Sequence, residues 1–356
     1  MRNGFSTSAC AAASAAAGIE SLLLGRPINE VTIDLPAKRG VHFEVVRCER
    51  QGEGVLCGVV KDAGDDPDVT NGLEIQAFVE RAPTPGLSLL GGKGVGIVTL
   101  PGLPVGVGEH AINPGPRRLI RKVIQETLTS LEAPVDFGLR VTIIVPEGER
   151  VAEQTMNPKL GIIGGISILG ADGIVRPYSA SAFRASIHLE MNVAREAGYR
   201  AIGLATGKRS AAYLRAALND ERGLGVVDVG DELGYPLQQA LKFGFQRVIF
   251  GGMIGKFSKL AQGRFQTHVQ EGEVNFEFLA QMSAEQGAPP ELCTRILTAR
   301  TAHQVQSWLH EVGIRLEPAL AQQAMQKVME YTRGKIGVEV LIFSLDGELL
   351  GRAKDG

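Results

Sequence analysis

Apolar and polar positions alternate in two different registers along this chain, and the register changes near residue 150. Over the first 150 residues, short β-branched runs bounded by turn residues predict strands at Val31–Leu35, Val41–Cys48, Val55–Lys61, Leu73–Glu80 and Gly138–Val145. Two helices interrupt them. One runs over Ala9–Leu24, capped by Thr7 or Ser8 and stopped by Gly25 and Pro27. The other runs over Arg117–Leu131, behind the breaker Asn113-Pro114-Gly115-Pro116. Strands with few helices predict an α+β domain with a mostly antiparallel sheet over residues 1–150.

Beyond Glu147 the pattern becomes strand–helix alternation. Helices are predicted at Ala180–Ala197, Arg209–Asn219, Glu232–Phe243 and Ile254–Gln262, with strands at Ala201–Ala205, Gly225–Val229 and Arg247–Phe250 between them. Such alternation implies right-handed βαβ units on a parallel sheet, a Rossmann-like α/β domain over residues 151–356. Helices follow to about Lys335, and Val338–Ser344 reads as the last strand.

Composition narrows the function classes. The net charge of −2 leaves no general basicity for a nucleic-acid or membrane-surface role. No apolar run approaches the ~18 residues of a bilayer span, and the small apolar stretch Ala9–Gly18 has only Arg2 before it, too little charge for a signal peptide. The chain reads as a soluble cytoplasmic protein. The cysteines show neither CxxC pairing nor zinc spacing. Cys48 and Cys57 would face each other across a hairpin turned at Gln51–Gly54, as reduced core thiols.

The densest chemistry is Val59–Gly72, VVKDAGDDPDVTNG, in which Asp62, Asp65, Asp66 and Asp68 crowd behind a strand. Clustered carboxylates repel unless hydrogen bonds, a cation or a ligand offsets the cost. The calcium-loop spacing fails, with no Gly at the sixth position and no Glu at the twelfth. A magnesium site and a scaffold of Asx-turns before Pro67 both stay open. GGKGVG (Gly91–Gly96) matches neither GxGxxG nor the P-loop, and GGMIGK (Gly251–Lys256) also misses the P-loop, though it joins a strand to a helix, where an anion or nucleotide is favoured. Thr206-Gly207, Gly230-Asp231 and Gly251-Gly252 follow three predicted strands, at the sheet edge where open α/β folds bind ligands. Asp231 serves equally well as a helix cap. Basic residues gather at loops and helix starts, among them Lys61, Lys93, Arg117, Arg118, Arg176, Lys256 and Lys259, a pattern that suits a ligand with several carboxylates or phosphates. His268 stands in the segment KLAQGRFQTH.

Together these blocks resemble the CbiD family, the cobalt-precorrin-5B C1-methyltransferases of anaerobic cobalamin biosynthesis. The likeness rests on GFSTSACAAASAAA (Gly4–Ala17), VVKDAGDDPDVTNG, GGKGVGIVTLPGLP (Gly91–Pro104), GEHAINPGPRRLI (Gly108–Ile120), LGIIGGISILGADGIVRPYS (Leu160–Ser179) and GKFSKLAQGRFQTH (Gly255–His268). The family usually has Thr-Thr-Gly where this chain has Ser6-Thr7-Ser8, and an acidic residue at Lys93.

The resemblance implies methyl transfer from S-adenosylmethionine to ring carbon C1 of a cobalt corrinoid, giving cobalt-precorrin-6A, with no protein-bound metal. It leaves room for transient contact with neighbouring pathway enzymes and for a homo-oligomer, and gives no nucleic acid or membrane a part. A substrate with many acetate and propionate arms calls for cationic clamps, here Lys61, Arg117, Arg118 and Arg176. The donor is expected near Thr206, Asp231, Gly251 and Gly252. Asp62, Asp65 or Asp66, and His268, are the candidate bases for the departing proton. Two other classes compete: a small-molecule kinase, with GGKGVG on phosphates and the aspartates on magnesium, and a non-catalytic corrinoid carrier, which would need a His loop as cobalt ligand.

Overall fold

The helix Thr7–Leu24 is apolar on all sides, and such a helix has to be surrounded. Every residue from Thr7 through Ile19 is buried, and alanines let the helix lie close on a sheet. A Cβ on Gly18 would come within 2.5 Å of Val79 Cγ2. By length and composition this helix could cross a membrane, a match the apolar runs alone did not reveal; 78% of it is buried inside the fold. The cap is Ser6, whose Oγ accepts from Ala9 N, so Thr7 and Ser8 fall in the first turn rather than before it.

The computed structural model describes residues 1–133, 138–267 and 272–355. It divides into two compact units, Met1–Ala180 and Ser181–Gly356. The division falls some thirty residues beyond the change of pattern near 150. Residues 151–180 look like a new domain in sequence, yet they complete the first unit. Ile162–Ile163 and Gly165–Ile166 pair with Ile97–Val98 and Gly94–Val95, and Ile174–Val175 pairs with Gly4–Phe5.

The first unit holds a five-stranded sheet in the order Arg47–Gln51, Gly54–Val60, Glu74–Arg81, Gly138–Ile144, Gly86–Gly91. All pairs are antiparallel except the last, which is parallel and brings in an edge strand that the sequence pattern missed. Val41–Cys48, expected as one strand, is two strands in two sheets. Lys38–Glu44 pairs with Glu30–Leu35, whereas Arg47–Gln51 joins the larger sheet. The exchange occurs where Val45 N bonds Asn29 O and Val46 N turns to Gly58 O. Cys48 and Cys57 are directly opposed with sulfurs 3.1 Å apart, as free thiols.

The glycine-rich segment Gly91–Gly96 is a crossing point of backbones. Gly94 has φ +74°, and a Cβ there would lie 1.8 Å from Val145 O. Cβ atoms on Gly148 and Gly165 would in turn collide with Gly94. Backbone already fills the space that a phosphate would need.

The second unit holds the order Val226–Asp228, Ala201–Ala205, Arg247–Gly252, Gly337–Phe343, Leu349–Lys354. The first four strands are parallel, and the last is an antiparallel edge that sequence reading did not find. Successive side chains point to opposite faces. Ile249, Leu341 and Phe343 pack beneath the helix Lys208–Leu218, whereas Val248, Phe250, Val338, Val340 and Ile342 pack into the core that holds Ala180–Glu196, Gly234–Phe243 and Glu317–Thr332. The chain is thus an α/β protein with one mixed, mainly antiparallel sheet and one parallel-rich sheet.

Candidate functional site

The Asp loop leaves the strand Gly54–Val60 and closes its neck at once: Lys61 N bonds Leu73 O and Gly72 N bonds Lys61 O, both at 2.8 Å. Inside the loop the carboxylates have different fates. Asp68 accepts from Lys61 Nζ at 2.7 Å and from Thr70 N and Oγ1 at 2.8 and 2.6 Å. Asp62 accepts two bonds from the Arg2 guanidinium and one from Gly64 N. Asp65 accepts from Arg2 N at 2.6 Å and is exposed. Asp66 is half-buried and, among the described residues, its carboxylate has no protein partner.

The N-terminal segment is what holds this loop. Phe5 N bonds Asp62 O at 2.7 Å, Asn3 bridges to Gly64, and Gly4–Phe5 pairs on its other side with Ile174–Val175. A Cβ on Gly4 would lie 2.0 Å from Ala63 C, so only glycine lets the strand approach so closely. Ser8 Oγ donates to Gly170 O at 2.5 Å, and Leu169 N donates to Thr7 Oγ1. Three segments far apart in sequence therefore meet as one layer: residues 2–8, 62–66 and 167–176.

The hydrogen bond from Arg2, and after it that from the Gly64 amide, hold the Asp62 carboxyl down at about 2 against the opposing effect of desolvation. The pair is half-exposed, so its effect on stability is small. Its sign is that of a depressed carboxylate: the contribution is complete above the ordinary carboxylate range and fades as pH falls through about 2. Arg2→Gln is expected to return the Asp62 pKa toward the ordinary carboxylate value, read by carboxyl-carbon NMR titration. An unmoved pKa would show that Arg2 is not the cause.

The cations sort by partner. Lys61, expected as a substrate clamp, is 1% exposed and spent on Asp68, so it shapes the loop instead. Arg117 donates to the Ile112 and His110 carbonyls, and Arg176 pairs with Asp172 at 2.7 Å. The side chain of Arg118, exposed near the start of the helix Pro114–Ser130, has no protein partner among the described residues, and neither does that of Lys93. Among the described residues no three His, Cys, Asp or Glu side chains are disposed to hold a metal ion. With Asp62 and Asp68 engaged and Gly91–Gly96 packed, the kinase reading loses both its supports.

In the second unit, the carboxyl ends of the parallel strands bring Thr206, Asp231, Gly251 and Gly252 to one edge. Counted along the chain the strand order is 2-1-3-4-5, which reverses direction between Ala201–Ala205 and Arg247–Gly252. Thr206 and Gly252 stand at that switch point, where crevices form in such sheets. The glycines also have packing reasons: a Cβ on Gly251 would meet Leu214 at 2.9 Å, and one on Gly252 would meet Thr206 Oγ1 at 2.3 Å. Asp231 pairs with Lys256 and accepts from Thr267 Oγ1. Lys259 is buried and donates to Thr267 O; desolvation, then the neighbouring Lys256, lower its pKa. His268, singled out from the sequence, lies outside the described residues.

Sequence reading missed Arg2, the partner of two loop aspartates, although it is the one charge ahead of the first helix. It also missed His303 and Gln306, which line a cavity at the same carboxyl edge as Gly252 and carry no motif.

Residues 1–177 match the family model CbiD, and residues 266–354 match CbiD, C-terminal domain. The first match ends within three residues of the first compact unit. A Geobacillus sp. protein named cobalt-precorrin-5B C(1)-methyltransferase is 41% identical over 99% of this chain and 96% of its own length. A Thermus thermophilus protein of the same name is 44% identical over 97% of this chain and 92% of its own. A crystal structure of a cobalamin biosynthesis protein (CbiD) from Archaeoglobus fulgidus is 27% identical over 81% of this chain and 85% of that one, with a TM-score of 0.40.

Proposed function

The chain belongs to the CbiD family, and from that premise we propose that it methylates ring carbon C1 of cobalt-precorrin-5B to give cobalt-precorrin-6A, with S-adenosylmethionine as donor. The observation that carries this is identity of 41–44% over essentially the whole chain with relatives that bear this activity as their name.

The chemistry asks little of a metal. A ring carbon attacks the sulfonium methyl in line; the new C–C bond forms as the S–C bond breaks, and its electron pair stays on sulfur as S-adenosylhomocysteine. The added positive charge leaves the macrocycle as a proton. Most of the rate then comes from holding the two partners in near-attack geometry, and the remainder from a positioned base.

We assign the corrinoid to the first unit. Arg118 has a side chain without a protein partner among the described residues, Arg117 lies beside it in the chain, and Arg176 stands at the Asp172–Arg176 turn. Asp66 is the base, because the other loop carboxylates are committed. Asp62 and Asp65 fix the loop to Arg2. The donor is assigned to the carboxyl edge of the second unit, read as a Rossmann-like domain, at Thr206 and the Gly251–Gly252 backbone, with Asp231 held by Lys256.

The test is turnover of cobalt-precorrin-5B with methyl-13C-labelled S-adenosylmethionine. One labelled methyl on C1 is expected for each S-adenosylhomocysteine released. Label at another carbon, or none, would overturn the reading.

A further inference from the structure

We propose that the cavity at the carboxyl ends of Arg247–Gly252 and Gly337–Phe343 is the nucleoside subsite of the methyl donor, with His303 accepting a hydrogen bond from the ribose or the adenine amine. The inference rests on the methyltransferase reading above and goes beyond it, because the polar residues of the cavity wall, Thr301, His303 and Gln306, are marked by no motif.

The cavity measures about 320 Å3. That is the lower end of the roughly 300–1,000 Å3 typical of small-ligand pockets, enough for a nucleoside and far too small for a macrocycle with many carboxylate arms. Ile254, Val274 and Phe343 give it apolar walls suited to a flat base, and Thr301, His303 and Gln306 give it polar ones. It opens beside Gly252 and Met253, one strand over from the switch point at Thr206, and strands lie ~4.8 Å apart. A larger cavity of about 410 Å3 sits at the opposite, amino end of the sheet, around Tyr199, Ala201 and Gly225. Its main acid, Asp220, is already bonded to Tyr199 and Gly225.

The polar wall of the smaller cavity is oriented from behind. Glu317 is fully buried; its Oε1 accepts from Gln306 Nε2 at 2.5 Å and from His310 Nε2 at 2.7 Å, and its Oε2 is buried with no partner among the described residues. A carboxylate only accepts, so Gln306 must spend its amide N–H on Glu317 and turn its oxygen to His303 Nδ1, 3.0 Å away. In the neutral imidazole that places the N–H on Nδ1 and leaves Nε2 as an acceptor. Burying a carboxylate and a glutamine to set one surface histidine makes sense where that histidine receives a donor from a ligand, and a nucleoside offers both hydroxyls and an amine.

Gly255 supplies the test. It lines the cavity, and a Cβ there would meet only Ala302 Cβ at 3.9 Å, so a larger side chain has room to grow into the void. In the methyl-transfer assay on the full chain, Gly255→Leu is expected to raise KM for S-adenosylmethionine at least tenfold with KM for the corrinoid unchanged. His303→Phe, which keeps the ring and loses the acceptor, is expected to raise it about tenfold, the equivalent of one hydrogen bond of about 1.4 kcal/mol. Unchanged donor KM in either folded variant would overturn the assignment and leave the activity standing. Absence of methylated corrinoid from the unaltered protein would overturn the activity itself, and this inference with it.

Discussion

Asp66→Asn is expected to lower kcat for methyl transfer by about 10²–10⁴-fold, the usual weight of a positioned general base, while the melting temperature stays that of the unaltered protein. The reasoning is by occupation. Asp62 is held near 2 by Arg2, so at neutral pH it is a poor proton acceptor. Asp65 is exposed and takes the Arg2 amide; Asp68 takes Lys61 and both donors of Thr70. Asp66 alone in the loop is half-buried without a partner among the described residues, so its loss breaks no bond of the fold. Asp62→Asn is the contrast: it loosens the N-terminal segment through Arg2 and is expected to raise KM for the corrinoid more than it lowers kcat. Full turnover by Asp66→Asn would remove the loop from the chemistry and leave it a scaffold.

What the sequence could tell about this site followed from separation along the chain. The aspartates stood out because four of them fall within seven residues. The fate of each was hidden, because it depends on Arg2, sixty residues upstream, and no local pattern encodes that contact. Lys61 shows the same limit. A lysine beside acidic residues reads as a surface clamp until its burial against Asp68 shows it turned inward. The glycines of Gly91–Gly96 read as a ligand loop because permissive backbone and crowded backbone call for the same residue. Only the approach of Val145, Gly148 and Gly165 separates the two. The alternating half of the chain was more legible: period-two runs between helices found four strands of the parallel-rich sheet, and failed at Leu349–Lys354, whose charged edge positions dilute the pattern.

Lys61→Met is expected to destabilise the first unit by about 3 kcal/mol, read from urea unfolding at pH 7. The Lys61 ammonium is among the most deeply buried groups in the chain, and its partner Asp68 keeps 27% of its surface. Removing one member of a buried pair costs about 3–5 kcal/mol because the other is left charged and dry, and the partial exposure of Asp68 sets the lower figure. Burial by itself would raise the Asp68 carboxyl; the Lys61 and Thr70 donors more than offset it and leave the pKa lowered. A lowered folded pKa stabilises above the ordinary carboxylate value and loses that stability as pH falls through the folded one. The gap between Lys61→Met and the unaltered protein should therefore narrow as acid protonates Asp68. Adding Asp68→Asn to Lys61→Met should recover most of the loss at pH 7, since the amide oxygen still accepts from Thr70 and no uncompensated charge remains. If Lys61→Met unfolds at the same urea concentration as the unaltered protein, the pair is not what closes the loop. Asp66 would then owe its position to the backbone bonds of the loop and to the Arg2 contacts.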